Sequence, residues 1–181
     1  QREELPVAEV EALVSASLCL TEAEQTAVRQ CRRRWRLAFV ICALAGLSQT
    51  AVLLTVGGFR WAALKDSVLL VETLCLIFGA WLCFWVKERL PAYYDQNRIS
   101  AYSQGPFRMN LPGVRFSNSN WPHILSAMRG WLLGAIALFP ALWWAVHHLW
   151  PALPQAVEQA LPLISVLGVL AAAAVAGKRY E

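Results

Sequence analysis

Residues 37–59 read LAFVICALAGLSQTAVLLTVGGF and contain no Asp, Glu, Lys, Arg or His. A helix of about 20 apolar residues spans a bilayer core of about 30 Å, so this stretch is long enough to cross a membrane. Helices of soluble bundles carry a polar outer face, and this stretch has none. Residues 37–59 are therefore predicted to form a transmembrane helix.

Three further apolar segments follow at residues 67–86, 124–150 and 159–177. With 57% hydrophobic and only 15% charged residues, the 181-residue chain is too apolar for an ordinary soluble domain. The segments lack the period-two alternation of a membrane barrel. We predict an all-α polytopic membrane protein with four transmembrane helices, N-terminal amphipathic helices in residues 1–36, an ordered cytoplasmic loop at 87–123 and a tail at 178–181.

The positive charges are distributed very unevenly between the two predicted membrane faces. Of the 16 Lys and Arg residues, 14 lie in the N-terminal segment, in the long loop with its membrane edge, or in the tail. The exceptions are Arg60 and Lys65. Because basic residues concentrate on the cytoplasmic side, both termini are predicted to face the cytoplasm. The chain begins with Gln1 rather than Met, which leaves open whether further residues precede it.

The N-terminal segment is predicted to form two helices. Apolar residues recur at helical spacing over residues 6–20, and the pair Thr21 and Glu24 fits a capping box that starts a second helix. This second helix is expected to continue through an arginine cluster into the first membrane helix. The arginines expected to contact lipid headgroups are Arg32, Arg33, Arg34, Arg36 and Arg129. No nucleic-acid partner is expected, because no binding fold accompanies the charges.

The loop at residues 87–123 is unusually long for a compact protein, and such loops are often functional. Turn residues near positions 104–106 and 111–113 predict a hairpin with strands at 107–111 and 114–117. Arg108 and Arg115 would then lie on neighbouring strands. The polar and aromatic residues of the candidate surface are Tyr93, Tyr94, Asp95, Asn97, Arg98, Arg108, Asn110, Arg115, Asn118, Asn120, Trp121 and His123.

Glu72 is an ionisable residue within the second apolar segment, where a charge is costly. We predict that it lies in the outer half of the membrane, where His147, His148 and Glu158 could join it in a proton relay or metal site. The alternative is a protonated Glu72 that is hydrogen-bonded to a neighbouring helix. Arg129 likewise has an alternative to headgroup binding, which is an ion pair with Asp95 or Glu88.

The chain contains no signature of conventional enzyme chemistry. It has no Gly-rich phosphate loop, zincin histidine pair or nucleophile elbow, and its five cysteines form no Cys-x-x-Cys pair. We therefore expect free thiols and no cofactor. The leading hypothesis is a non-enzymatic protein that acts through the loop and N-terminal helices. Its partners would be membrane lipids and a second copy or another membrane protein. The alternative is a membrane-embedded enzyme or a small proton- or ion-coupled transporter.

Residues 67–177 resemble the C-terminal half of the SdpI-like bacterial membrane proteins. The resemblance is carried by Gly105, Arg108, Trp121, Arg129 and Gly130, which follow a hydrophobic helix and lead into a helix pair. The family has Thr after its Gly-x-Arg motif, whereas this chain has Met109 after Arg108. The resemblance implies a role in immunity to a membrane-active toxin or in signalling to a repressor.

Overall fold

The computed structural model describes residues 21–56, 58–97, 99–104 and 107–180. The predicted amphipathic helix at residues 6–20 lies outside this part of the chain. The described elements are α1 (Glu22–Val56), α2 (Gly58–Phe84), α3 (Tyr93–Gln96), β1 (Ala101–Gln104), β2 (Phe107–Asn110), α4 (Trp121–Leu149) and α5 (Gln155–Arg179). Four helices, α1, α2, α4 and α5, are long and apolar enough to span a membrane. The prediction of an all-α, multi-pass membrane protein is confirmed.

Helix α1 is much longer than a membrane requires. Its 35 residues extend about 52 Å at 1.5 Å per residue, well beyond the bilayer core of about 30 Å. The predicted capping box is present, because the Thr21 N–H donates to the Glu24 carboxylate at 3.1 Å and the Glu24 N–H donates to Thr21 Oγ1 at 3.4 Å. The helix therefore begins at the predicted position and runs unbroken through the arginines.

Helix α4 is the centre of the bundle. It packs against α1, α2 and α5, and it supplies many of the fully buried side chains. Close contacts with α5 depend on small residues, as is typical of membrane helices. Gly168 leaves room for the Trp131 ring, whose Nε1 donates to the Ser165 carbonyl at 2.9 Å. Near the end of α5, Gly177 receives the side chain of Val114.

The segment between α2 and α4 folds into a compact structure that we call the cap, comprising residues 87–97, 99–104 and 107–120. Strands β1 and β2 pair antiparallel, from Ala101 opposite Asn110 to Gln104 opposite Phe107. The cap side chains Leu90, Tyr102, Val114 and Phe116 join the same buried cluster as the helices. The cap is thus continuous with the core of the bundle.

The predicted hairpin was partly wrong. Its first strand is present as β2, but the partner is residues 101–104 rather than 114–117. Residues 114–117 instead carry Val114 and Phe116 into the core, and the Phe116 N–H donates to the Ile99 carbonyl at 2.9 Å. Arg108 consequently lies opposite Ser103 and not on a strand beside Arg115.

The described cysteines Cys31, Cys42, Cys75 and Cys83 are free thiols, as predicted. Cys19 lies outside the described residues. Cys75 and Cys83 are buried along α2, where they pack as small apolar side chains.

Candidate functional site

Arg129 joins the cap to the helices through a buried ion pair. Its guanidinium, only 1% exposed, donates to both oxygens of Glu88, at 2.8 and 3.0 Å. Nε and Nη2 also donate to the Leu82 carbonyl at 3.1 and 2.8 Å, and the Trp35 ring lies 5.7 Å from the guanidinium carbon. The headgroup role predicted for Arg129 is corrected, because a side chain so enclosed does not reach lipid phosphate. The alternative pairing with Glu88 is the one formed.

Trp121 fixes the end of the cap to the start of α4. Its Nε1 donates to the Lys87 carbonyl at 2.9 Å, across a separation of 34 residues. Its ring packs against Tyr102 at 4.4 Å and Phe116 at 5.8 Å between centroids. Because the ring is buried and its N–H is paired, the role of Trp121 is to hold the cap in place.

Two asparagine side chains form hydrogen bonds with backbone N–H and C=O groups of the cap that are not paired in a helix or strand. The Asn118 side chain accepts from the Leu90 N–H at 2.9 Å and donates to the Leu90 carbonyl at 3.1 Å. Asp95 accepts from both the Asn118 N–H and its side-chain amide, each at 2.7 Å. Asn120 donates to the Arg115 carbonyl at 2.6 Å and accepts from the Ser117 N–H at 3.0 Å. These bonds order the cap where it has no regular secondary structure.

Tyr94 and Tyr102 are buried on the inner side of the cap. The Tyr94 hydroxyl donates to the Ala101 carbonyl at 3.4 Å, and the Tyr102 hydroxyl donates to the side-chain oxygen of Gln104. Burial, with a smaller contribution from Tyr94, raises the pKa of Tyr102 above its usual value. Tyr102 therefore keeps its proton and acts as a hydrogen-bond donor.

The remaining members of the predicted cap surface are exposed. They are Tyr93, Asn97, Arg108, Asn110, Arg115 and His123, whereas Arg98 lies outside the described residues. The His123 ring stacks on Tyr180 of α5 with 3.7 Å between centroids. The sequence prediction of one polar surface thus divides into an inner set that holds the cap together and an outer set that faces away from it.

The arginines of α1 also divide into two groups. Arg33 and Arg34 are exposed on the part of α1 that extends past the bundle. Arg36 instead donates to the Phe84 carbonyl at 3.3 Å and lies over the Phe84 ring, and Arg32 is partly buried. The extension is also tied to the cap, since Arg89 pairs with Glu24 at 3.0 Å. The headgroup contact predicted for the exposed Arg33 and Arg34 stays a prediction.

Glu72 lies deeper in the bundle than its sequence position indicated. Because α2 begins at Gly58, Glu72 is about 21 Å along this helix and near its middle. The side chain is 2% exposed, and neither carboxylate oxygen has a hydrogen-bond partner among the described residues. A charged side chain at the centre of a membrane helix costs about 2.5–3.5 kcal/mol on insertion scales, so this arrangement needs an explanation.

The predicted cluster of Glu72 with the histidines does not form. Glu72 lies level with Ile136 of α4, and His147 is about 16 Å further along that helix. His147 instead faces Glu158, with 3.8 Å between Nε2 and Oε1, and its Nδ1 lies 3.0 Å from the Trp143 carbonyl oxygen. His148 stacks on Trp144. Within the described chain no group of three or more His, Cys, Asp or Glu side chains could hold a metal ion.

Sequence reasoning missed the buried polar side chains of α1. Gln49 donates to the Ala137 carbonyl at 2.9 Å, while its own side-chain oxygen is buried without a partner. The Thr50 hydroxyl is likewise buried and unpaired. A signal was present, because Ser48, Gln49 and Thr50 interrupt an otherwise apolar stretch.

No family model, curated protein or solved structure matches the chain. The geometry of the cap and of the intramembrane polar groups is therefore the basis for any functional inference.

Proposed function

We propose that the chain is a non-enzymatic protein of a bacterial inner membrane that binds another protein, or a second copy of itself, through the outer face of its cap. In this proposal the cap and both termini are cytoplasmic. The support for this orientation is the concentration of 14 of the 16 basic residues at the cap end and in the terminal segments.

The observation that carries the proposal is how the cap uses its polar groups. Asn118, Asn120 and Trp121 are engaged by backbone groups of the cap, and Arg129 ties Glu88 to the bundle. A surface that is ordered before binding loses less conformational entropy when a partner docks. A rigid cap therefore favours a recognition role over that of a plain connecting loop.

The outer face of the cap has the composition of a protein interface. Tyr93 and Arg108 are exposed there, and Tyr and Arg are the residue types that most often dominate binding energy. Tyr93 is braced by Tyr94, with 4.6 Å between ring centroids, so its position is partly fixed before any contact. We infer that Tyr93 and Arg108 are central to the contact and that Asn97 and Asn110 lie at its rim.

Anionic lipids are the second class of partner in this proposal. Arg33 and Arg34 project from the extension of α1 beside the cap, and each basic residue near an anionic surface contributes about 1 kcal/mol of attraction. The resemblance to SdpI-like proteins would give the cap interaction a context in toxin immunity or in signalling.

The proposal is tested by capture from membranes. A photo-crosslinking residue at position 108 is introduced into the full chain, and adducts formed in intact cells are identified by mass spectrometry. We expect a discrete adduct that is lost with Tyr93→Ala, while the charge reversal Lys65→Glu at the other end of the bundle leaves it unchanged. Lipid adducts alone, or an adduct indifferent to Tyr93, would contradict a protein-binding cap.

A further inference from the structure

Polar groups gather in the middle of the membrane where α1, α2 and α4 meet. Gly46 and Thr50 are the buried residues of α1, one turn apart on the same face. The Glu72 carboxyl projects from α2 towards Gly46, and the Ile136 carbonyl of α4 borders the same point. Gln49 reaches α4 one residue further along, at the Ala137 carbonyl. The Glu72 carboxyl and the Ile136 carbonyl oxygen therefore lie beside the same point of α1, deep inside an otherwise apolar bundle.

Pro140 explains why a backbone oxygen is free in this place. In a regular helix the Ile136 carbonyl accepts from the N–H of residue 140, but proline has no N–H to donate. The released carbonyl lies on the side of α4 that faces α1. A proline-freed carbonyl inside a membrane is normally satisfied by a neighbouring group or by a ligand.

Gly46 allows the three helices to approach closely around these oxygens. A Cβ atom at this position would lie 2.3 Å from the Ile136 oxygen and 2.9 Å from Glu72 Oε2. Both oxygens therefore pack against the same face of Gly46, close to each other. Two oxygens with negative partial charge that lie this close repel each other unless a positive charge lies between them.

We propose that Glu72 and the Ile136 carbonyl bind a monovalent cation, either a proton or Na⁺. Both donors are oxygens, which suits a hard cation. The single carboxylate matches one positive charge, so a divalent ion would leave an excess charge inside the membrane. As a proton site, the Glu72 acid donates a hydrogen bond to the Ile136 oxygen.

The groups around Glu72 supply no competing cation among the described residues. Arg129, two turns from Ile136 on α4, is committed to Glu88, and His147 faces Glu158. On α2 itself the nearest interacting titratable group is the Cys75 thiol, one turn away, and α1 contributes Cys42 one turn from Gly46. A bound proton or Na⁺ is therefore left as the neutralising charge.

A hydrophobic carbodiimide tests the proposal in intact membranes containing the full chain. The acid form of a buried carboxyl adds across the N=C=N group and rearranges to a stable N-acylurea, which peptide mass spectrometry locates. We expect modification of Glu72, falling about tenfold for each pH unit above the midpoint of its profile. Modification is lost in Glu72→Gln and unchanged in the matched control Glu24→Gln, whose carboxyl is exposed.

Repeating the modification in NaCl and in KCl distinguishes a Na⁺ site from a proton site. If NaCl slows modification more than KCl does, Na⁺ occupies the site, and if neither salt has an effect, the site takes a proton alone. Pro140→Ala, which restores the N–H for the Ile136 carbonyl, is expected to move the midpoint of the pH profile downwards. A Glu72 that stays unmodified at every pH, or a rate indifferent to both pH and Na⁺, would overturn the proposal.

Discussion

Arg129 and Glu72 are both charged residue types buried in the helical bundle, yet their surroundings are opposite. The Arg129 guanidinium donates four hydrogen bonds to Glu88 and Leu82 and lies near the Trp35 ring. The Glu72 carboxyl has no hydrogen-bond partner among the described residues. A buried charge with all its partners in the chain is a structural element, whereas one without partners calls for a ligand.

The largest predicted effect concerns Arg129, the buried residue whose partners all lie in the chain. Arg129→Met leaves Glu88 without its cation and the Leu82 carbonyl without its donors, so the free energy of unfolding should fall by about 3–5 kcal/mol. Detergent-unfolding titrations of the purified chain measure this change. Arg34→Met, an exposed matched control, should change it by less than about 0.5 kcal/mol. Equal effects for the two variants would contradict the structural role of the ion pair.

Gly46 tests the close approach of helices around Glu72. Gly46→Ala places a methyl group 2.3 Å from the Ile136 oxygen, so the helices must separate at a cost of about 1–3 kcal/mol. Gly130→Ala is the matched control, because nothing lies within 4 Å of its added methyl group. It should be neutral or stabilising by about 0.5–1 kcal/mol. The same titration checks both variants. A Gly46→Ala variant with the unfolding free energy of the parent would contradict the close packing of the three helices.

Much of the architecture could be predicted from the sequence, because each membrane helix is encoded locally by a long apolar stretch. The start of α1 was equally local, since Thr21 and Glu24 are three residues apart. The strand that pairs with β2 could not be predicted from local sequence. Residues 101–104 and 114–117 flank that strand on either side, and the choice depends on the core, which takes Val114 and Phe116.

The candidate sites were less accessible to sequence reasoning. The functional role of the cap residues stays a prediction, and whether each polar side chain faces inwards depends on contacts across long separations, such as Trp121 with Lys87. The pairing of Glu72 with the histidines was wrong because Glu72 lies level with Ile136, near the middle of α4, whereas His147 lies near the end of that helix.

A smaller effect is expected inside the cap. Asn118→Ala removes both side-chain bonds to Leu90 and one to Asp95, which should lower the unfolding free energy by about 1–2 kcal/mol. Asn97→Ala, whose exposed amide bonds only within its own turn at the Tyr93 carbonyl, is the matched control. Thermal unfolding in mild detergent should rank Asn118→Ala clearly below Asn97→Ala, and the reverse order would contradict the bracing role of Asn118.

The smallest change in the unfolding free energy is expected at Glu72. Glu72→Gln keeps a hydrogen-bond donor beside the Ile136 carbonyl, so the unfolding free energy should stay within about 0.5 kcal/mol of the parent value. The measurement is made without added Na⁺ and at low pH, where the parent carries its own proton. A loss as large as that of Arg129→Met would show that Glu72 has a permanent ionic partner.

Hydrogen exchange of the full chain in lipid nanodiscs tests the central claim, an ordered cap fixed to the bundle, most directly. The Leu90, Phe116 and Asn118 amides donate within the cap, so we expect their exchange to be slowed about a hundredfold or more relative to an unstructured chain. Arg129→Met should remove this protection in the cap before it affects the centre of α4. Exchange of these three amides at unstructured rates in the parent chain would contradict the account.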